Sequence, residues 1–157
     1  MASRRKGRIL AFQALYCWDV RYGQTKEAAV PDGLLDFSWT QKAADAPALN
    51  EEMAAFSSLL VTGTVENISA IDGMIRRHLV NWDFERLNRV DLAILRMSVY
   101  TLMFQTDMPP TIVIDEAVDI SREFGTDDSY RFVNGVLDSI RKTLNSCLRT
   151  EGPVEAT

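Results

Sequence analysis

The stretch Leu87–Gln105, LNRVDLAILRMSVYTLMFQ, constrains the fold of this chain more than any other. Val90, Ala93, Ile94, Met97, Tyr100 and Phe104 recur at helical spacing, and Leu92, Leu95, Val99 and Leu102 fill the opposite side. A helix that is apolar nearly all the way round has to be wrapped by other elements. Its start is written locally: Asn88 can cap the free N–H groups, Asp91 follows within the first turn, and Leu87 can staple onto Leu92. Its end is written too, because Met108-Pro109-Pro110 forbids continuation. At about 1.5 Å per residue it spans about 28 Å, the width of a small domain.

The flanking segments supply the wrapping. Arg4 to Tyr22 reads as a helix, with Ile9, Phe12 and Tyr16 on one line and Ala11, Leu15 and Trp18 on the next. From Glu51 the period returns: Met53, Phe56, Leu60 and Thr64 make a stripe in which Gly63 permits a close approach. Ser69 and Asp72 read as a capping pair opening a helix through Ile71, Ile75 and Leu79. His78, the one histidine, lies on its apolar edge and is expected to pack or hydrogen-bond locally. Residues 81–86 form a joint in which Asp83 can cap a short turn and Trp82 is expected to pack back on Leu87.

Beyond the central helix, Thr111 is expected to cap Ile112 to Phe124, whose stripe is Val113, Ala117, Ile120 and Phe124, with Gly125 as the stop. Thr126, Asp127, Asp128 and Ser129 supply caps for a last helix that turns Val133, Val136, Leu137, Ile140 and Leu144 inward. Gly135 within it is a poor helix former, which a close crossing against the core helix would explain; Leu there is then expected to overpack. Residues 23–50, with Gly23, Pro31, Gly33 and Pro47, read as a long connection with mobile ends and a short helix at Leu34 to Trp39. The tail from Thr150 is expected to fray. With no β-alternation of useful length and no internal repeat, the fold class is all-α.

Composition narrows the function classes. With 157 residues and 46% hydrophobic content, the chain can bury one core or two small, tightly packed ones. No apolar run approaches the roughly 20 residues needed to span a bilayer. The basic N-terminus is followed by polar and aromatic residues and does not resemble a signal peptide. A cytoplasmic protein without a membrane partner is expected. Cys17 and Cys147 lack a CxxC neighbour and are expected to be buried free thiols. The net charge of −5 argues against a generic nucleic-acid binder. Its distribution says more. Residues 4–8, RRKGR, carry four cations, leaving the rest of the chain with 22 acidic residues against 13 basic, 17 less those four. RNA contact would concentrate at the basic end, and the acidic remainder suits a basic protein partner.

Four cations at a helix N-terminus oppose the macrodipole. They do nothing evident for the fold, so removing them is expected to leave stability equal or slightly higher. Such a run can contact successive phosphates, and guanidinium groups can stack on bases. At the start of the last helix, Arg131 between Tyr130 and Phe132 also fits unstacked bases, although Phe132 reads equally as core. Catalytic patterns are nearly absent: one His, no GxSxG, no Gly-rich phosphate loop and no metal-ligand spacing. The best enzymatic candidate is Asp115, Glu116 and Asp119, where 115 and 119 share a face that could hold magnesium. A solvated helix face, with acids favoured near its start, is the preferred reading. A non-enzyme without cofactor or metal is expected.

Two segments, RRKGRILAFQALYCWDV and RVDLAILRMSVYTLMFQTDMPPTIVIDEAVDISREFGTDDSYRFVNGVLDSI, resemble the NusB family of bacterial transcription antitermination factors. The most specific pieces are the Arg-rich start followed by QALY, LNRVDLAILR, and FGTDDSYRFVNGVLD. The resemblance implies an all-α fold of two packed helical subdomains around the central helix: 1–80 with the basic arm, and 81–149, before the 150–157 tail. It implies binding of boxA-type single-stranded RNA together with NusE, a ribosomal protein of the small subunit. It also implies a place in an RNA polymerase antitermination complex supporting ribosomal RNA transcription.

By position, Arg4, Arg5, Lys6 and Arg8 match the family's basic RNA-binding motif. Asp128, Ser129, Arg131, Phe132 and Asn134 match the start of its last helix, which also approaches RNA. Tyr16, Glu85 and Asp91 match the surface that meets NusE. Taken alone, Tyr16 reads as core, Glu85 as a solvated charge, and Asp91 as a partly exposed helix cap. Two other classes stay open. One is a protein-binding helical module in which the arm is incidental. The other is a relative of the similar domain that precedes cytosine methyltransferase domains in some ribosomal RNA methyltransferases, against which the lack of room for a cofactor-binding α/β domain speaks. Monomer and homodimer are both compatible with the sequence.

Overall fold

The computed structural model describes the backbone of residues 2–22, 30, 35 and 51–155, and their side chains apart from those of 2, 3, 22 and 147–155. The described residues form α1 (Ala2–Tyr22), α2 (Glu51–Glu66), α3 (Ile68–Arg77), a 3-10 turn (Phe84–Arg86), α4 (Arg89–Phe104), α5 (Pro110–Phe124) and α6 (Ser129–Glu155). All of their regular structure is helical, and no single helix among them is long and apolar enough to cross a membrane.

Every residue of α4 from Asp91 to Leu102 is buried, and α4 packs against each of the other five α-helices. The Asn88 side chain accepts from the Val90 N–H at 2.8 Å and the Asp91 N–H at 3.4 Å, which is the expected cap. One hydrophobic cluster draws residues from all six α-helices. Phe104 departs from the expected stripe: it lies exposed, stacked on Tyr100 with ring centroids 5.5 Å apart.

Two glycines let backbones meet. A Cβ on Gly63 would clash with the hydroxyl end of the Tyr100 ring, so α2 crosses α4 there without room for a side chain. A Cβ on Gly7 would stand 2.7 Å from a Phe56 ring carbon, and Ser57 Oγ donates to the Gly7 carbonyl at 2.8 Å. The basic end of α1 is therefore pinned to α2. Gly135 behaves differently from expectation. It is exposed with open space around it, because Val133, Val136, Leu137 and Ile140 take the inner face of α6. A Cβ there meets nothing within 4 Å, so the overpacking expected of Leu has no neighbour to act on. Gly135→Ala should instead raise stability by up to about 1 kcal/mol, the helix-propensity difference, seen as a higher urea midpoint. A lower midpoint would place an undetected neighbour against this face.

The core also holds charge that periodicity did not reveal. Arg96 of α4 is buried, donating to both Asp72 carboxylate oxygens at 2.8 and 2.9 Å, with Asp19 at 3.2 Å. Arg89 closes the network on Asp19 at 3.0 Å. Burial alone would lower the Arg96 pKa; the hydrogen bonds and charges of Asp72 and Asp19 outweigh it and leave it raised. Asp72 is thus not a cap: α3 begins at Ile68 behind Asn67, with no side-chain cap. A buried guanidinium requires an anion, whereas an exposed helix start can be satisfied by water.

Smaller corrections have equally local causes. Trp82 packs on Phe132, with ring centroids 5.1 Å apart, a contact that the sequence did not suggest. Helix α5 begins at Pro110, whose missing N–H a helix start does not need, so Thr111 is not its cap. Asp83 does cap its turn, accepting from the Glu85 N–H at 3.2 Å, and Gly125 ends α5. His78 Nδ1 pairs with Ser139 Oγ at 2.8 Å; burial, then Arg77, lowers its pKa. The helix expected at 34–39 lies outside the described residues except for Leu35, which is helical and half-buried against the core. The backbone stays helical through Glu155, beyond the expected fraying point at Thr150.

Candidate nucleic-acid interface

Arg4, Arg5, Lys6 and Arg8 occupy the first turns of α1, held in place through Gly7. Arg4 and Arg8 lie over the Phe56 ring, at 4.9 and 5.7 Å from its centroid. Arg5 reaches the other way, to α5, with Nε 3.2 Å from Glu116 and Nη2 2.6 Å from Asp119. Arg8 stands 3.8 Å from Glu116, its side chain only 11% exposed. Glu116 first, then Asp119, raises the Arg5 pKa, while burial lowers that of Arg8. The expectation that these cations do nothing for the fold is corrected: two of them join α1 to α5. Glu116 and Asp119 are likewise not a solvated acidic face, while Asp115 remains exposed.

The second group sits at the start of α6. Asp128, Arg131 and Asn134 are exposed, and Phe132 is half-buried against the exposed Trp82. Arg131 Nε donates to the Tyr130 hydroxyl at 2.9 Å, and Arg122 of α5 lies 4.7 Å from the centroid of the same ring. Arg122 completes this cation–aromatic group and was not singled out from the sequence. No local signal could have found it, since it ends a different helix. Ser129 is buried, its Oγ accepting from the Thr126 N–H at 2.9 Å.

Side-chain contacts link α1 to α5. Arg5 meets Glu116 and Asp119 near one end, and Phe12 meets Phe124 edge-on at 5.1 Å further along. Phe12 lies seven positions beyond Arg5, about 10 Å along α1.

Of the residues matched to a protein partner, Tyr16 is exposed rather than core. It borders an open depression of about 280 Å³ with Phe12, Gln13, Cys17, Val90 and Phe124. Cys17 is half-buried there, and Cys147 lies outside the described side chains. Glu85 is exposed on its turn, paired with Arg76 at 2.8 Å, whose hydrogen bond chiefly holds its carboxyl at about 2. Asp91 is buried rather than partly exposed, at 7%, and its Oδ1 has no hydrogen-bond partner among the described residues. Burial raises its pKa against a Ser129 hydrogen bond, so its ionisation above the ordinary carboxylate range weakens the fold. A charge reversal at Asp91 would therefore test the core rather than an interface.

Among the described residues no group of three or more His, Cys, Asp or Glu is placed to hold a metal ion. What the geometry offers is a basic helix start on α1 and a cation–aromatic cluster at the start of α6. The model of the NusB family matches residues 5–142, which takes in all of these features. The chain belongs to the NusB family. It is 53% identical over 138 residues to transcription antitermination protein NusB of Treponema denticola, covering 88% of this chain and 95% of that one. The Treponema pallidum NusB is 51% identical over 140 residues, 89% and 93% of the two chains.

Solved structures agree with the fold. Aquifex aeolicus NusB superposes with a TM-score of 0.74 at 30% identity, over 94% of this chain and 93% of that one. NusB crystallised with NusE and double-stranded RNA superposes with a TM-score of 0.75 at 30% identity, over 91% and 98%.

Proposed function

We propose that this protein is a non-enzymatic transcription antitermination factor of the cytoplasm, binding boxA-type single-stranded RNA jointly with NusE. The RNA polymerase antitermination complex is then its place of action, on ribosomal RNA transcription. Two features carry the reading together: the basic first turns of α1, with Arg4, Arg5, Lys6 and Arg8, and the cation–aromatic cluster of Arg122, Tyr130 and Arg131 at the start of α6. Cations there meet phosphates, and aromatic faces accept unstacked bases. The acidic remainder of the chain and the open depression beside Tyr16 suit a basic protein such as a ribosomal one. Family membership and the solved NusB–NusE–RNA assembly support the same assignment.

The test is a three-component titration. Purified protein, NusE and fluorescent boxA RNA should form a ternary complex tighter than either binary one. Equal affinity for boxA and a scrambled single strand, with NusE present, would remove the boxA assignment. No association with NusE would leave an RNA binder without this partner.

A further inference from the structure

The arm of α1 faces two competing partners, one of them inside the protein. Arg5 is the most committed of its cations, with Glu116 at 3.2 and 3.4 Å and Asp119 at 2.6 Å. Glu116 also reaches Arg8 at 3.8 Å, so one carboxylate bridges two positions one helical turn apart. These acids come from α5, far away in sequence, and each is only partly exposed, 21% for the Glu116 side chain and 43% for Asp119. Arg5 itself remains about half exposed, within reach of an outside anion. Neither acid is needed to cap α5, which starts with Pro110 behind Pro109.

We propose that Glu116 and Asp119 form a clasp that withholds Arg5 from phosphate and so limits the affinity of the arm for single-stranded RNA. The inference rests on the RNA-binding reading of the arm. A phosphate must replace a carboxylate already in place, so the gain at Arg5 is the difference between two ion pairs. Arg4 leans on Phe56 and has no acid among its described contacts, and so meets phosphate first. Opening the clasp is a second step, favoured when RNA is already held nearby. Exposed pairs are weak individually, each corresponding to roughly a 1.5- to 5-fold change in an equilibrium. Together they make the clasp a modest brake that a strand already held at Arg4 can release.

The experiment uses the full chain carrying Glu116→Gln and Asp119→Asn, with and without Arg5→Gln. Binding to fluorescent single-stranded RNA and to inorganic polyphosphate is measured at about 50 and 200 mM salt, spanning the range in which screening changes. Thermal melts confirm that every variant is folded. The double amide variant should bind both polyanions about 3- to 10-fold more tightly at low salt, with a smaller gain at high salt. Unrelated RNA sequences should gain alike, since phosphate contacts carry no sequence information. In the Arg5→Gln background most of the gain should disappear, because the two changes act through one contact.

A gain of equal size without Arg5 would mean that the acids act only through their general field, and the clasp is overturned. Weaker binding, or none gained, would mean that they position Arg5 for RNA instead. A wild-type protein that binds polyphosphate but not RNA would sink the RNA reading alone, and the polyphosphate series would still decide the clasp.

Discussion

Arg96→Ala should destabilise the protein by about 3–5 kcal/mol, the range for removing one member of a buried ion pair. The change leaves the partly buried Asp72 without the guanidinium that holds it and the buried Asp19 with Arg89 alone. Against a typical total of about 5–15 kcal/mol, that loss is enough to populate unfolded chains at physiological temperature. Urea unfolding followed by circular dichroism measures it. Arg96→Met keeps most of the stem packing beside Trp18 and Phe84, so its deficit reports mainly the lost charge. Adding Asp19→Asn and Asp72→Asn to Arg96→Met should recover part of the loss, since neutral amides tolerate burial better than unpaired carboxylates. A loss below about 1 kcal/mol for Arg96→Ala would show that the network behaves as a solvated surface pair.

The second large effect is on binding. Changing Arg4, Arg5, Lys6 and Arg8 together to Gln should abolish boxA RNA binding while leaving NusE association intact. Four phosphate contacts would give a salt slope near −3, at about −0.7 each. Because Arg8 is largely buried over Phe56, a slope nearer −2 is expected for the wild type, and the variant should lose most of it. Single changes at Arg4 or Lys6 should weaken RNAs of different sequence alike; a loss confined to one sequence would mean that a base is being read. The fold should suffer a little, by about 1 kcal/mol, through lost stem packing of Arg8 and the lost Arg5 pairs. An unchanged or higher melting temperature would argue that the contacts from α1 to Glu116 and Phe56 contribute nothing to stability. Normal RNA binding at both low and high salt would leave the arm incidental, and a protein-binding module would become the leading reading.

What the sequence determined by itself is whatever is settled within a turn or two of the chain. Asn88 caps α4 because its acceptor needs only the next two residues' N–H groups. The Pro109-Pro110 break follows from covalent geometry. The inner face of α6 was legible from spacing, and the same spacing already put Gly135 on the outer face, which the close-crossing expectation overlooked. The arm and the last-helix start were legible as charge and aromatic runs, and their kinship with the NusB family brought them together.

Only the tertiary structure decided which residue meets which. Arg96 and Asp72 are 24 residues apart, and Arg5 and Glu116 are 111 apart. Helical periodicity tells which face turns inward, but not which helix arrives opposite a given side chain or at what angle. A charged residue on a helix is therefore solvent-exposed, clasped or buried according to its neighbour across the interface. That is why Asp91 became core beneath α6, Tyr16 surface beside Val90, and Glu116 a partner of the very cations that RNA would take.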